Sequence, residues 1–177
     1  MRVSVYIAAS LDGFIARPDG DIAWLTAFPD SDGEDYGYYD FLDSVDAIVM
    51  GRHTFEKVLT FGAWPFDDAK RVVVLSSTLA ALPDDLPATV TLANGAPAEV
   101  LAQLVTEGIE HVYLDGGQTV QKFLAAGLVN RITLTHLPIL LGQGIPLFGP
   151  LSDDISLRHV KTQSYASGFV QSTYDVA

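Results

Sequence analysis

The chain has 177 residues, 49% hydrophobic and 18% charged, which suits one domain with a sizeable core and argues against disorder. Its formal net charge of -12 speaks against broad nucleic-acid binding, which needs clustered Lys and Arg, but leaves helix N-termini free to take a small anion. There is no cysteine, so disulfides, thiolate metal sites and cysteine nucleophiles are excluded.

Val3, Val5 and Ile7 alternate with Ser4, Tyr6 and Ala8, a strand pattern running into Ser10-Leu11-Asp12-Gly13. This apolar opening is too short to span a membrane and lacks a signal-peptide layout, so a cytoplasmic protein is expected. The acidic, tyrosine-rich stretch Asp30 to Asp46 spaces Asp35, Tyr39 and Leu42 along one helical face. Asp46 to Met50 reads as a buried strand broken at Gly51, and a short helix is expected from about Thr54 with Phe55, Val58 and Leu59.

Arg71 to Leu75 reads as another β-branched strand, followed by Ser76-Ser77-Thr78. Pro97 opens a helix with the stripe Val100, Leu101, Leu104 and Val105, stopped by Gly108. The strand His111 to Leu114 meets Asp115-Gly116-Gly117, and a second helix follows with Val120, Phe123 and Leu124 inward and Gly127 at its end. From Arg131 the pattern changes. Ile132 to Leu141 is strand-like, Gly142 to Pro146 is rich in turn residues, and Ile155 to Thr162 with Phe169 to Val176 form a closing antiparallel pair. Strands alternating with helices, then a run of strands, predict a single α/β domain with a mostly parallel sheet and an antiparallel edge.

Ligands of open α/β sheets gather at the carboxyl ends of strands, and four strands here end in small, polar or glycine-containing segments. Gly51-Arg52-His53-Thr54 sets a guanidinium, an imidazole and a hydroxyl at a strand-to-helix turn, suited to phosphate. Ser76 and Ser77 add hydroxyls at the next strand end. The other reading makes Thr54 or Ser76 a cap and Arg52 a solvated charge. Asp115-Gly116-Gly117 before a helix is a second anion candidate, although a tight turn explains the glycines as well. No Gly-x-Gly-x-x-Gly or Gly-x-Ser-x-Gly pattern occurs. His53, His111, His136 and His159 are dispersed without ligand spacing, so no metal is expected.

Ile48 to Glu56 and Arg71 to Ser77 together resemble the cofactor-binding pattern of dihydrofolate reductases. Ala8 to Ala16, Leu114 to Gly117 and Leu140 to Phe148 are closer to one branch of that superfamily, the reductase domain of the riboflavin-biosynthesis deaminase–reductase and its stand-alone relatives. The resemblance implies a dihydrofolate reductase-like three-layer fold and an NADPH-dependent reductase of a pterin- or pyrimidine-like heterocycle. The alternative is a non-catalytic protein that keeps the NADP(H) cradle.

By the same resemblance, Arg52 and Ser77 hold the 2′-phosphate, with Gly51 and Ser76 in the same turns. His53 and Thr54 lie along the pyrophosphate, and Gly116, Gly117, Gln118 and Thr119 close on it from the other side. The resemblance also implies a cis peptide between the two glycines. Ala8 and Ile15 border the nicotinamide, and Leu11 to Gly13 begin the loop over it, with Asp12 toward substrate. Counting back from Met50 implies Asp35 as the catalytic carboxylate, with Glu34 or Asp32 as substitutes, and Tyr39 stacking on the heterocycle. Asp115 is the rival carboxylate, with helix capping as its plain alternative. The Leu-Pro-Trp stretch of true dihydrofolate reductases is absent from Arg17 to Trp24, and so is a fused deaminase domain. No membrane or nucleic-acid partner is expected, and a homodimer paired through the closing strands is.

Overall fold

The computed structural model describes residues 1–28 and 33–177. Its centre is an eight-stranded sheet built from β1 (Arg2–Ser10), β3 (Ala47–Gly51), β4 (Arg71–Leu75), β5 (Val90–Ala93), β6 (His111–Asp115), β7 (Arg131–Leu137), β9 (Leu157–Ser164) and β10 (Val170–Val176). The order is β5-β4-β3-β6-β1-β7-β10-β9. All pairings from β5 to β7 are parallel, and β10 and β9 join antiparallel. A separate small ribbon pairs β2 (Phe14–Ala16) with β8 (Ile145–Pro146).

Helices cover both faces, which makes three layers. On one face α3 (Pro97–Thr106) and α4 (Gly117–Ala125) bury Leu101, Leu104, Val120 and Phe123 against Val3, Val5, Val49, Val112 and Leu114. On the other, α1 (Tyr38–Asp43) and α2 (Arg52–Leu59) close a core containing Ile48, Met50, Phe55, Val58, Val72, Val74 and Tyr113. Strands buried on both faces read as continuous β-branched runs, which is why Ala47 to Met50 and Val72 to Val74 are apolar throughout. The fold class expected from the sequence is the one observed.

Several elements, the short β2–β8 ribbon among them, differ from the sequence expectations. The helix expected through Asp35 begins only at Tyr38, because Tyr36 and Gly37 take left-handed φ of 59° and 82° and break helical continuity. α2 starts at Arg52, straight off β3, not near Thr54. β7 stops at Leu137, not Leu141, because Pro138 has no N–H for the ladder. The strand β5 was not expected at all. Its four residues follow a loop and pair only with β4.

Candidate functional site

β3 and β6 are parallel neighbours, with Met50 opposite Asp115. Each turns at once into a helix, α2 from the cap Gly51 and α4 from the cap Gly116. Glycine offers no side chain to the first helical turn, and neither cap makes a side-chain hydrogen bond. Two helix N-termini with free N–H groups therefore stand side by side, the arrangement that attracts phosphate.

The glycines here serve close packing of turns. Gly116 holds φ of +89°, and a Cβ on it would run into the Thr54 hydroxyl. A Cβ on Gly51 would stand 3.1 Å from Thr119 Oγ1. One on Gly117 would lie 2.8 Å from Ile15 Cδ1 and 3.1 Å from the Pro146 carbonyl oxygen. Thr54, Thr119, Ile15 and the β2–β8 ribbon are thereby brought together around the two turns. The peptide between Gly116 and Gly117 is trans, contrary to the cis bond implied by resemblance, and no cis peptide occurs among the described residues. The left-handed φ of Gly116 makes the turn instead.

Arg52, half-buried at the first position of α2, shares a hydrogen bond of 2.9 Å between its Nη2 and His53 Nε2. Its Nε lies 3.8 Å from Glu56 Oε1, a loose surface pair worth little. The two serines divide. Ser76 Oγ accepts from the N–H groups of Thr78 at 3.1 Å and Leu79 at 2.9 Å, as the turn-capping alternative requires. Ser77 is exposed beside it, and so is Gln118 at the start of α4. Ala8 is half-buried and packs with Trp24, Leu137 and Phe169.

The carboxylates part company. Asp35 sits ahead of α1, where its oxygens accept from the N–H of Tyr39 at 2.9 Å and of Gly37 at 3.0 Å. Those bonds hold its pKa below the ordinary value, so it is a firmly ionised brace for the helix start. Glu34 accepts from the Tyr36 N–H at 2.9 Å, and Asp32 lies outside the described residues. Asp12 clips two loops: it accepts from the Ser10 hydroxyl at 2.6 Å, the Leu141 N–H at 3.1 Å and the Gly142 N–H at 2.7 Å.

Asp115 is different. It is half-buried at the end of β6, and burial pushes its pKa up to about 6 despite the Gly116 N–H and the Tyr113 hydroxyl, which favour the charged form. A carboxyl that titrates there can hold a proton and give it away near neutral pH.

Two tyrosines that the sequence leaves unassigned, Tyr113 and Tyr38, act on Asp115, and Tyr6 adjoins them. Tyr113, two residues earlier on β6, shares its face and donates to the Tyr6 carbonyl at 3.1 Å. Tyr38 packs into the same core, with its phenol pKa pushed up by burial and then by the charge of Asp115. The hydroxyl of Tyr6 donates to the Tyr36 carbonyl. Tyr39, expected to stack on a heterocycle, is 67% exposed, with its ring centroid 6.0 Å from that of Tyr38. One residue is about 100° around a helix, so the late start of α1 turns Tyr38 inward in its place. Period-two alternation of Tyr113 with Asp115 was the available signal.

Comparison with known proteins bears on this geometry. The model of the RibD C-terminal domain family matches residues 2–171. The uncharacterized protein YwjB of Bacillus subtilis (strain 168) is 36% identical over 93% of this chain and 92% of its own length. The riboflavin biosynthesis protein RibD of Corynebacterium ammoniagenes is 29% identical, with 94% of this chain spanning 52% of that protein. A crystal structure from Shewanella sp. PV-4, provisionally described as a riboflavin biosynthesis protein, superposes with a TM-score of 0.94 at 38% identity, covering 100% of this chain and 99% of that one. With the three-layer sheet and the paired helix N-termini already in place, the chain belongs to the RibD C-terminal domain family.

Proposed function

We propose that this protein is an NADPH-dependent reductase that delivers hydride to a pyrimidine- or pterin-like heterocycle. The observation that carries the reading is the half-buried Asp115 carboxyl, with a pKa near 6, beside two open helix N-termini. The donor set fits a dinucleotide phosphate. Two N-terminal turns suit a pyrophosphate, and Arg52 with the exposed Ser77 suits the extra 2′-phosphate. When bound, NADPH supplies a hydride from its nicotinamide.

The residues have distinct work. Arg52 and Ser77 hold the 2′-phosphate, His53 and Thr54 lie along the pyrophosphate, and Gly116 to Thr119 close the other side. Ala8 and Ile15 border the nicotinamide and keep water from it. Asp115 orients the acceptor and holds the proton that its reduced nitrogen or carbon requires. Tyr113 positions Asp115, while Asp35 braces α1 and takes no part in proton transfer. Every residue of the edge strand β9 is exposed, which favours pairing of β9 with a second copy in a homodimer; sedimentation of the protein tests this. No helix among the described residues is long and apolar enough to cross a membrane.

Consumption of NADPH with 5-amino-6-ribosylaminouracil phosphate or dihydrofolate as acceptor tests the chemistry. Turnover that Asp115→Asn lowers at unchanged NADPH affinity supports the proposal. Cofactor binding without turnover on any heterocycle would leave a non-catalytic NADP(H)-binding protein.

A further inference from the structure

We infer that the protein carries a second ligand site, outside the cofactor cleft, for a small phosphorylated polyol such as a sugar phosphate. A cavity of about 550 Å3 opens on the face of β1, β7, β10 and β9 beyond α1, a volume in the range of small-molecule sites. Its floor is unusual for a sheet face. Register sets Tyr6, Thr133, Thr173 and Lys161 in one row across four strands, with Ser4 beside them. Ser4, Thr133 and Thr173 are only 2%, 9% and 4% exposed. Ser4 Oγ pairs with His111 Nε2 at 2.8 Å, and the two threonine hydroxyls lie 3.2 Å apart. A hydroxyl has one donor and two acceptor sites, so each retains capacity for the hydroxyls of a ligand.

Charge gives the cavity a direction. Arg2, Arg131 and Lys161 line it, while Glu34, Asp35 and Asp40 line the rim toward α1. Arg131 is held by Asp175 at 2.7 Å. Arg2 and Lys161 form no ion pair among the described residues, in a chain with 22 acidic residues and 10 Lys and Arg. Where acids outnumber bases two to one, cations left unpaired over a shared cavity supply what a phosphate needs. The overall negative charge repels anions at long range, so saturable binding has to be local.

The cavity is separate from Asp115. The ring of Tyr6 lines the cavity, stacked on Phe41 with centroids 4.6 Å apart, and is fixed by its hydroxyl bond to the Tyr36 carbonyl. Neither Asp115 nor Gly51, Arg52, Gly116 or Gly117 lines the cavity.

Calorimetric titration of the full chain with ribose 5-phosphate, ribose and inorganic phosphate tests the site. Ribose 5-phosphate is expected to bind saturably, inorganic phosphate more weakly, and ribose not measurably. Lys161→Ala and Arg2→Ala alter exposed side chains, and circular dichroism checks their folding. Each is expected to weaken ribose 5-phosphate by about 10- to 100-fold, and Thr173→Val to weaken it without changing the affinity for inorganic phosphate. Absence of saturable binding, or equal affinity in all variants, would overturn the inference. So would a dimer that Lys161→Ala dissociates while the wild-type protein takes up no phosphate, because a second copy would then fill the cavity.

Discussion

Replacing Asp115 by Asn should make the protein more stable and a poorer catalyst. Burial raises this carboxyl from the ordinary 3.8 to about 6. An acid whose folded value stands above its unfolded one binds more protons when folded, so stability falls as pH rises between the two values. Above about pH 6 the full cost of keeping the charge in place is present. The gap between 3.8 and about 6 corresponds to about 3 kcal/mol. Asn keeps an oxygen acceptor for the Gly116 N–H but carries no charge. Urea unfolding should therefore show Asp115→Asn more stable by about 2 to 3 kcal/mol at about pH 7.5, with the gain vanishing near pH 4. Such a gain at the expense of activity is the usual mark of a functional group held where folding alone would not place it. A midpoint unchanged or lowered at neutral pH, or an equal gain at both pH values, would refute the argument.

The cradle and the brace make their own predictions. Arg52→Ala should weaken NADPH by about 10- to 100-fold, through loss of a charge-assisted phosphate contact, and leave NADH nearly unchanged in parallel titrations. Gly116→Ala meets both the left-handed φ of +89° and the Thr54 hydroxyl, so it should cost about 2 kcal/mol or more in chemical denaturation; adding Thr54→Ala should recover part of that loss. Asp35→Asn should lower the unfolding midpoint at neutral pH but not in strong acid, since the depressed pKa of Asp35 gives stability that is lost as pH falls. The pH profile of turnover in that variant should keep the break near 6 set by Asp115.

The strands and helices that carry the two glycine turns were legible because each signal was local. Val72 to Val74 and Ile48 to Met50 announce doubly covered strands, and Pro97 and Gly108 bracket α3 by rules acting within one turn. The glycine pair and Gly51 stand at the two strand-to-helix corners, where they let two turns and the β2–β8 ribbon pack together. The first helix was harder to read. A count back from Met50 presumes an unbroken chain geometry, and the left-handed pair Tyr36 and Gly37 resets it. That one change moves Asp35 off the helix and exchanges Tyr39 for Tyr38. The titration of Asp115 was not readable from its neighbours in sequence, because its desolvation comes from burial in the folded chain. Tyr113 was the exception, two residues away on the same strand.

If the two helix N-termini and Arg52 form a cradle for NADPH, calorimetric titration of the purified protein with NADPH and NADH side by side will reveal it. Saturable binding of NADPH, at least about ten-fold tighter than NADH, is the predicted result. Failure to bind either nucleotide, or equal affinity for both, would contradict it.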